Sequence, residues 1–194
     1  MPEKPKLRVG IVGAGWAGEG HAFGFGECPR TEVVAIANRT RETGEALAER
    51  FDVPTVDDDY RALIDHGVDI IGVTTPGHTH HEITMAALEA GVHVLCEKPM
   101  AKNLAEARRM IDACRESGTH LIVNHQRRTT RPLRRMRELI AEGAIGDITL
   151  IRASCAGDVL TDGTHAIDSM RFLAGDVPVE WVFGSVYRTR VDPD

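Results

Sequence analysis

The sequence predicts an α/β fold in which a doubly wound parallel sheet is followed by a partial α+β domain. Short apolar runs alternate with helical patterns throughout residues 1–125, and the first of these runs leads directly into a glycine-rich turn. The alternation changes after about residue 125. Because strand–helix alternation is typical of parallel sheets covered on both faces, we place one domain at 1–125 and a second at 126–194.

The elements of the first domain follow each other in regular order. Each predicted strand is a short apolar run, and each predicted helix repeats its apolar residues at helical spacing. A glycine stands directly after the helix that begins at His80, as it often does at helix ends. The predicted strands are Leu7–Val12, Glu32–Ala37, Ile70–Thr74, Val92–Leu95 and Leu121–Asn124. The predicted helices run from the glycine turn to about Gly26 and over Arg41–Phe51, Tyr60–His66, His80–Ala90 and Leu104–Glu116.

The second domain is expected to serve substrate binding or oligomerisation. Helices are predicted at Pro132–Glu142 and Thr164–Leu173, and strands at Asp147–Ala156 and Val179–Arg190. Two strands form only a marginally stable sheet. We therefore expect either that the chain is shortened at its C-terminal end or that its open strands pair with another copy in a homo-oligomer.

Composition and charge argue against several functions. The net charge of −6 disfavours general binding to nucleic acid, and no apolar run is long enough to span a bilayer. The arginines between residues 127 and 137 flank an apolar helical stripe without interleaved aromatic residues, so we interpret them as a solvated helix face. Four cysteines lie far apart and match no metal spacing, which favours reduced thiols in a cytoplasmic protein.

A glycine motif, Gly13-x-Gly15-x-x-Gly18, directly follows the first predicted strand and opens the first helix. In this setting it predicts a Rossmann-type dinucleotide site, because glycines let the backbone approach a pyrophosphate at a helix N-terminus. The alternative is a glycine-rich turn that binds no ligand. The other candidate cofactor contacts in this turn are Ala14, Ala17 and, as a weaker candidate that could equally be a packing residue, Trp16.

The tip of the second predicted strand bears on the choice between NAD and NADP. It reads Asn38-Arg39-Thr40-Arg41 and carries no acidic residue. NAD sites usually place a carboxylate there for the ribose hydroxyls, whereas an arginine accommodates the 2′-phosphate of NADP. Arg39 could pair with that phosphate and Thr40 could add a hydrogen bond, so the sequence favours NADP over NAD. The alternative is that Asn38 alone binds the ribose and the arginines are solvated.

Two longer segments resemble the Gfo/Idh/MocA-type oxidoreductases. They are VTTPGHTHHEITMAALEAGVHVLCEKPMA at 73–101 and LTDGTHAIDSMRFLAGD at 160–176, and with the glycine turn the resemblance extends over about residues 7–190. It implies an NAD(P)-dependent dehydrogenase or reductase of sugars, inositols or related polyols. It also implies a C-terminal α/β domain whose sheet often forms dimers or tetramers.

The resemblance implies a catalytic role for Lys98, in the segment Glu97-Lys98-Pro99 after the Val92–Leu95 strand. A lysine beside the nicotinamide can donate to the substrate oxygen, stabilise developing alkoxide charge and help to move the proton. Glu97 is expected to hold the ribose or the lysine, and Pro99 is often cis in this family. The alternative for Lys98 alone is a capping lysine on a surface loop.

His165 matches the catalytic histidine of the family, and the ordinary pKa of histidine suits a proton donor and acceptor. The usual aspartate four residues earlier is replaced by Thr161, but Asp162 stands three residues before His165. Spacings of three and four both share a helix face, so Asp162 could replace the usual acid after a small rotation. The alternative is a structural His165 that pairs with Asp168.

The turn Thr74-Thr75-Pro76 is implied to lie against the cofactor, with His78 and His81 near the nicotinamide ribose or the substrate. A zinc site formed by these histidines and His80 is disfavoured, because no further ligands are spaced to complete a tetrahedron. Residues that could reach the site from the end of the Leu121–Asn124 strand are Asn124, Gln126, Arg127 and Arg128.

We therefore expect an NADP-dependent oxidoreductase, with NAD as the alternative cofactor and a sugar, inositol or polyol as its substrate. Two rival functions stay open. An enzyme of the glycosidase type would hold NAD tightly and use it for a transient oxidation. A shortened, non-catalytic chain would bind the dinucleotide without turnover.

Overall fold

The computed structural model describes residues 5–185 of the 194-residue chain. Its sheet is formed by β1 (Leu7–Val12), β2 (Thr31–Ala37), β3 (Thr55–Asp57), β4 (Ile70–Val73), β5 (His93–Cys96) and β6 (Leu121–Val123). All six strands are parallel and pair in the order β3-β2-β1-β4-β5-β6. The chain reverses its direction of winding between β1 and β4, and a crevice at the carboxyl ends of such strands is the usual ligand site of open α/β sheets.

Helices cover both faces of this sheet. They are α1 (Trp16–Glu27), α2 (Arg41–Arg50), α3 (Arg61–Asp65), α4 (His80–Glu89) and α5 (Leu104–Ser117). Successive strand residues point to opposite faces. Ile36 accordingly packs with residues of α1 and α2, whereas its neighbours Ala35 and Ala37 pack with residues of α3, α4 and α5. The doubly wound arrangement predicted from the sequence is confirmed.

The chain beyond β6 contributes two helices that pack on each other. A 3₁₀ turn (Gln126–Thr129) leads into α6 (Arg131–Ala141), and a π-helical turn (Val159–Gly163) leads into α7 (Thr164–Leu173). Arg128 joins these parts, because its guanidinium donates to the carboxylates of Asp168 and Asp176 at 2.7–3.1 Å. Across residues 5–185, every helix is too short or too polar to traverse a lipid bilayer.

Two strands predicted for the second domain are not observed. Residues 147–156 and 179–185 lack regular strand structure, and the rest of the second predicted strand, 186–190, lies outside the described residues. Both segments expose apolar side chains, such as Leu150 at 74% and Val182 at 85%. A strand needs a neighbour for its backbone hydrogen bonds, and within residues 5–185 neither segment has one. The apolar pattern alone was therefore an insufficient signal.

Candidate active site

A crevice of about 640 Å³ opens at the carboxyl ends of β1, β2 and β4. Its size is that of a small-molecule or cofactor site. The lining residues that were not predicted from the sequence include Asp58, Tyr60 and Glu82. The predicted cofactor residues that line it are Gly13, Ala14, Gly15, Asn38, Arg39, Thr40, Thr74, Thr75, Pro76 and His78.

The three motif glycines are required for different reasons. Gly13 has a φ of +105°, which disfavours any residue with a side chain, and a Cβ there would lie 2.8 Å from Thr74 Oγ1. A Cβ on Gly18 would collide with the carbonyl oxygen of Gly13, so Gly18 permits the close packing of α1 on the turn. A Cβ on Gly15 would meet no atom within 4 Å. Gly15 therefore leaves open space where a ligand can approach the backbone at the start of α1.

Asn38 fixes the tip of β2 against the glycine turn. Its Oδ1 accepts a hydrogen bond from the Ala14 amide at 3.0 Å, and its Nδ2 donates to the carbonyl oxygen of Thr40 at 2.7 Å. The adjacent Arg39 is exposed and forms no ion pair with any residue in the described range. Its guanidinium is therefore available at the edge of the crevice.

A second cavity of about 400 Å³ shares Thr74 and Thr75 with the crevice and so continues it. It brings together residues that are far apart in the sequence. Arg127 lines this cavity, whereas its neighbour Arg128 is turned to Asp168 and Asp176. The predicted residues that line it are Trp16, Ala17, Glu97, Lys98, Gln126, Asp162 and His165.

Glu97 is held by a buried polar cluster beside Lys98. Its Oε1 accepts hydrogen bonds from His21 Nε2 at 3.1 Å and from Asn124 Nδ2 at 2.7 Å. Its Oε2 has one long contact, 3.4 Å from the Lys98 amide. Burial of the carboxyl favours its neutral form, but the hydrogen bonds from His21 and Asn124 outweigh this effect and lower the pKa of Glu97. The carboxylate is therefore ionised at neutral pH.

His80 connects the two loops on either side of this cavity. Its ring is buried at the start of α4, with Nδ1 2.8 Å from the carbonyl oxygen of Pro99 and Nε2 2.7 Å from that of Thr75. The Lys98–Pro99 peptide bond is cis. Sequence reasoning considered His80 only as a metal ligand, and the described residues contain no cluster of three or more metal-ligating side chains.

His165 and Asp162 approach the cavity through the π-helical turn. Asp158 caps this turn, because its Oδ1 accepts hydrogen bonds from the amides of Leu160 and Thr161 at 2.7 and 2.9 Å. The Gly163 amide donates to the Asp158 carbonyl five residues earlier, at 3.0 Å. Such widened turns occur frequently at functional sites. Asp162 lies in this turn and lines the same cavity as His165, which follows three residues later.

The pKa of His165 is lowered in this setting. Burial of the ring is the main cause, followed by the positive charges of Lys98 and Arg127, while Asp162 acts in the opposite direction. His165 Nδ1 is also buried without a hydrogen-bond partner among residues 5–185. A neutral imidazole with a free nitrogen can accept a proton.

One predicted cofactor contact falls elsewhere. His81 lines neither cavity, and its Nε2 is buried without a partner among the described residues. Adjacent helix residues point about 100° apart, and of the two it is His80 that contacts the loops at Thr75 and Pro99. The alternative pairing of His165 with Asp168 is also not observed, because the Asp168 carboxylate is bound by Arg128.

The residues present fit a pyridine dinucleotide. Open space above Gly15 lies at the start of a helix, where free amides favour a pyrophosphate. Gln126 lines the second cavity, and its buried Oε1 has no hydrogen-bond partner among residues 5–185, so this side chain brings an unused acceptor to the site. Fold and crevice together define a dinucleotide-binding protein of the Rossmann class.

Comparisons with known proteins specify the family. Residues 7–125 match the model of the GFO_IDH_MocA group, described as an oxidoreductase family with an NAD-binding Rossmann fold. The chain is 35% identical to 1,5-anhydro-D-fructose reductase of Ensifer adhaerens, over 90% of this chain and 59% of that protein. It is 30% identical to levoglucosan dehydrogenase of Pseudarthrobacter phenanthrenivorans, over 88% and 52%.

A solved structure agrees with these matches. Myo-inositol 2-dehydrogenase from Lactobacillus plantarum superposes with a TM-score of 0.81 and 26% identity, over 89% of this chain and 57% of that chain. This chain therefore belongs to the Gfo/Idh/MocA oxidoreductase family. It spans little more than half the length of the relatives it matches.

Proposed function

We propose that this protein is an NADP-preferring oxidoreductase that oxidises a hydroxyl group of a sugar, inositol or related polyol, or reduces the matching ketone. The observation that carries the proposal is the cavity where Lys98 and His165 meet, because it continues the crevice above the glycine turn. The relatives named above act on small carbohydrates and an inositol, which supports this class of substrate.

Lys98, His165 and Asp162 have different roles toward the substrate in this proposal. A bound nicotinamide supplies the hydride acceptor. Lys98 donates a hydrogen bond to the reacting oxygen and stabilises its negative charge. His165, neutral because its pKa is lowered, takes the hydroxyl proton, and the Asp162 carboxylate stabilises the imidazolium that results.

Arg39 carries the preference for NADP. Its guanidinium is exposed at the tip of β2 and unpaired among the described residues, so it can bind a 2′-phosphate through two hydrogen bonds. Asp58 and Glu82 line the same crevice and would repel that phosphate if they lay nearer to it than Arg39 does. Whether NADPH or NADH binds more tightly therefore shows whether Arg39 or these two acids dominate at the 2′ position.

The test is a titration with NADPH and NADH, followed by an oxidation screen against sugars and inositols. We expect tighter binding of NADPH and substrate-dependent reduction of NADP⁺, with loss of reduction in Lys98→Met. Tighter binding of NADH would overturn the NADP preference. Glycoside cleavage without net cofactor reduction would support the glycosidase-type reading, and binding without turnover would support a non-catalytic protein.

A further inference from the structure

The Glu97 carboxylate forms a largely buried polar cluster with two side chains, His21 and Asn124. His21 comes from α1, Glu97 directly follows β5, and Asn124 directly follows β6. The side chain of His21 is 5% exposed and that of Glu97 13% exposed. Two polar side chains from separate elements thus converge on a single carboxylate oxygen, Oε1.

We infer that His21 and Asn124 are positioning residues that hold Oε1 of Glu97, so that Oε2 accepts a hydrogen bond from the ribose beside the nicotinamide. Glu97 lines the second cavity, and among residues 5–185 the hydrogen-bond contact of its Oε2 is the 3.4 Å one with the Lys98 amide. A carboxylate oxygen has lone pairs for more than one donor. The inference rests on the proposed dinucleotide function.

The hydrogen-bond geometry assigns the tautomer of His21. An ionised carboxylate only accepts, so both His21 Nε2 and Asn124 Nδ2 must donate to Glu97 Oε1. His21 Nδ1 is buried and has no partner in residues 5–185. A proton on Nδ1 would leave a buried donor unsatisfied, which is costly. The geometry therefore places a proton of His21 on Nε2 and offers no acceptor for one on Nδ1.

Gly72 makes room for this ring. It lies within β4, where glycine is unfavourable because it packs no side chain and loses more backbone entropy. A Cβ at this position would lie 2.8 Å from His21 Nδ1. Glycine in a strand often marks such a close approach. The fold thus accommodates the His21 ring at the expense of local strand propensity.

A Glu97 side chain that is already held in place should bind a ligand that donates to Oε2 more tightly than a mobile one would. A preorganised acceptor does not lose side-chain entropy when the ligand binds. Without His21 or Asn124, the carboxylate is free to turn and its pKa rises toward the ordinary value, since both hydrogen bonds lower it. The nicotinamide half of the cofactor should then lose affinity, whereas the adenosine half, bound at β2, should not.

The experiment compares whole cofactor with a fragment. His21→Leu, Asn124→Leu and the conservative His21→Gln are titrated with NADPH and with 2′-phospho-ADP, and NADH and ADP serve as the second pair. The matched control is His93→Gln, which alters a half-buried histidine at the opposite, amino end of β5.

We expect the two leucine variants to weaken dinucleotide binding by about 10-fold and fragment binding by less than about twofold, with partial recovery in His21→Gln. Equal loss for cofactor and fragment, or no loss for either, would overturn the inference. Wild-type protein that binds no dinucleotide would instead contradict the proposed function.

A measurement on the unaltered protein covers the case in which a variant does not fold. The ¹⁵N shifts of the His21 ring distinguish a protonated nitrogen from one with a free lone pair. We expect Nε2 to be protonated and Nδ1 to be unprotonated at pH 7. A proton on Nδ1 would contradict the assigned hydrogen bonds and, with them, the positioning role.

Discussion

The Nδ1 atom of His80 lies 2.8 Å from the carbonyl oxygen of Pro99, so a residue of α4 holds the loop that presents Lys98. The opposite ring nitrogen contacts the carbonyl oxygen of Thr75. A buried, rigid ring thus sets the separation of the two loops that border the second cavity. Buried carbonyl groups need such partners, because an unsatisfied one costs about 1–3 kcal/mol.

Removal of the His80 ring should destabilise the fold. We expect His80→Ala to lower the free energy of unfolding by about 2–4 kcal/mol, because it leaves a carbonyl group unsatisfied and opens a cavity. Urea denaturation measures this change. His78→Ala, which alters an exposed histidine two residues earlier, should change stability by less than about 0.5 kcal/mol. Equal effects of the two substitutions would contradict the bridging role of His80.

The motif glycines offer a pair of substitutions with opposite outcomes. Gly18→Ala should destabilise the protein by about 1–3 kcal/mol, because the new methyl group meets the backbone at Gly13. Gly15→Ala should keep or slightly raise stability, since its φ of −83° suits alanine and its surroundings are open. The same methyl group should weaken dinucleotide binding at least about 10-fold by keeping the pyrophosphate from the backbone.

Denaturation and cofactor titration of both variants separate these effects. A stable Gly15→Ala protein with unchanged cofactor affinity would show that the phosphates do not approach this position. Stability of Gly18→Ala equal to that of the wild type would show that the turn can move away from α1. Each outcome bears on one glycine alone.

Local signals explain why the first sheet and most of the crevice were predictable. Five of the six strands are short apolar runs, whereas β3 reads Thr55-Val56-Asp57 and was not predicted. The glycine motif begins directly after β1 and ends within the first turn of α1. The residues at the carboxyl ends of such strands must meet at one edge of the sheet. Lys98 follows a strand end and was expected to face the crevice for this reason, whereas the position of Thr74 against the cofactor was implied by the family resemblance.

Contacts between distant residues explain what the sequence did not reveal. His21 lies 76 residues from Glu97, and His80 lies 19 residues from Pro99, with no pattern that pairs them. The sequence also could not show which of Arg127 and Arg128 faces the cavity. Arg128 is turned away because it binds two acids, 40 and 48 residues further along the chain. The strands predicted in 147–156 and 179–190 needed a neighbouring strand that residues 5–185 do not provide.

The cofactor preference can be tested at one side chain. Arg39→Ser should weaken NADPH binding at least about 10-fold and leave NADH binding within about twofold, because only NADPH carries the 2′-phosphate. Arg41→Ser is the matched control, since Arg41 already pairs with Glu45 at 2.8 Å. Fluorescence titration gives all four affinities. A similar loss for NADH and NADPH would show that Arg39 acts on the shared adenosine rather than on the phosphate.

The pKa of His165 should respond to the charge of Arg127. Burial lowers this pKa below its ordinary value of 6.5, and the positive charges of Lys98 and Arg127 lower it further. Arg127→Met removes one of these charges and should raise the pKa of His165, as measured by its NMR titration. The acidic limb of kcat/KM for alcohol oxidation should shift to higher pH in the same direction, because the neutral ring accepts the proton.

Stability should follow the same protonation. The folded state resists protonation of His165, so the unfolded chain binds more protons between pH 6.5 and the lowered folded pKa. The free energy of unfolding therefore falls as the pH drops from about 6.5 toward the folded pKa and levels off below it. Arg127→Met should lessen this fall, because its folded and unfolded pKa values are closer. Arg131→Met, at an exposed arginine four residues further on, should leave the pKa of His165 unchanged. A change of equal size in the His165 pKa of both variants would mean that the overall charge, rather than Arg127, lowers it. No change in either variant would mean that Arg127 does not face the ring.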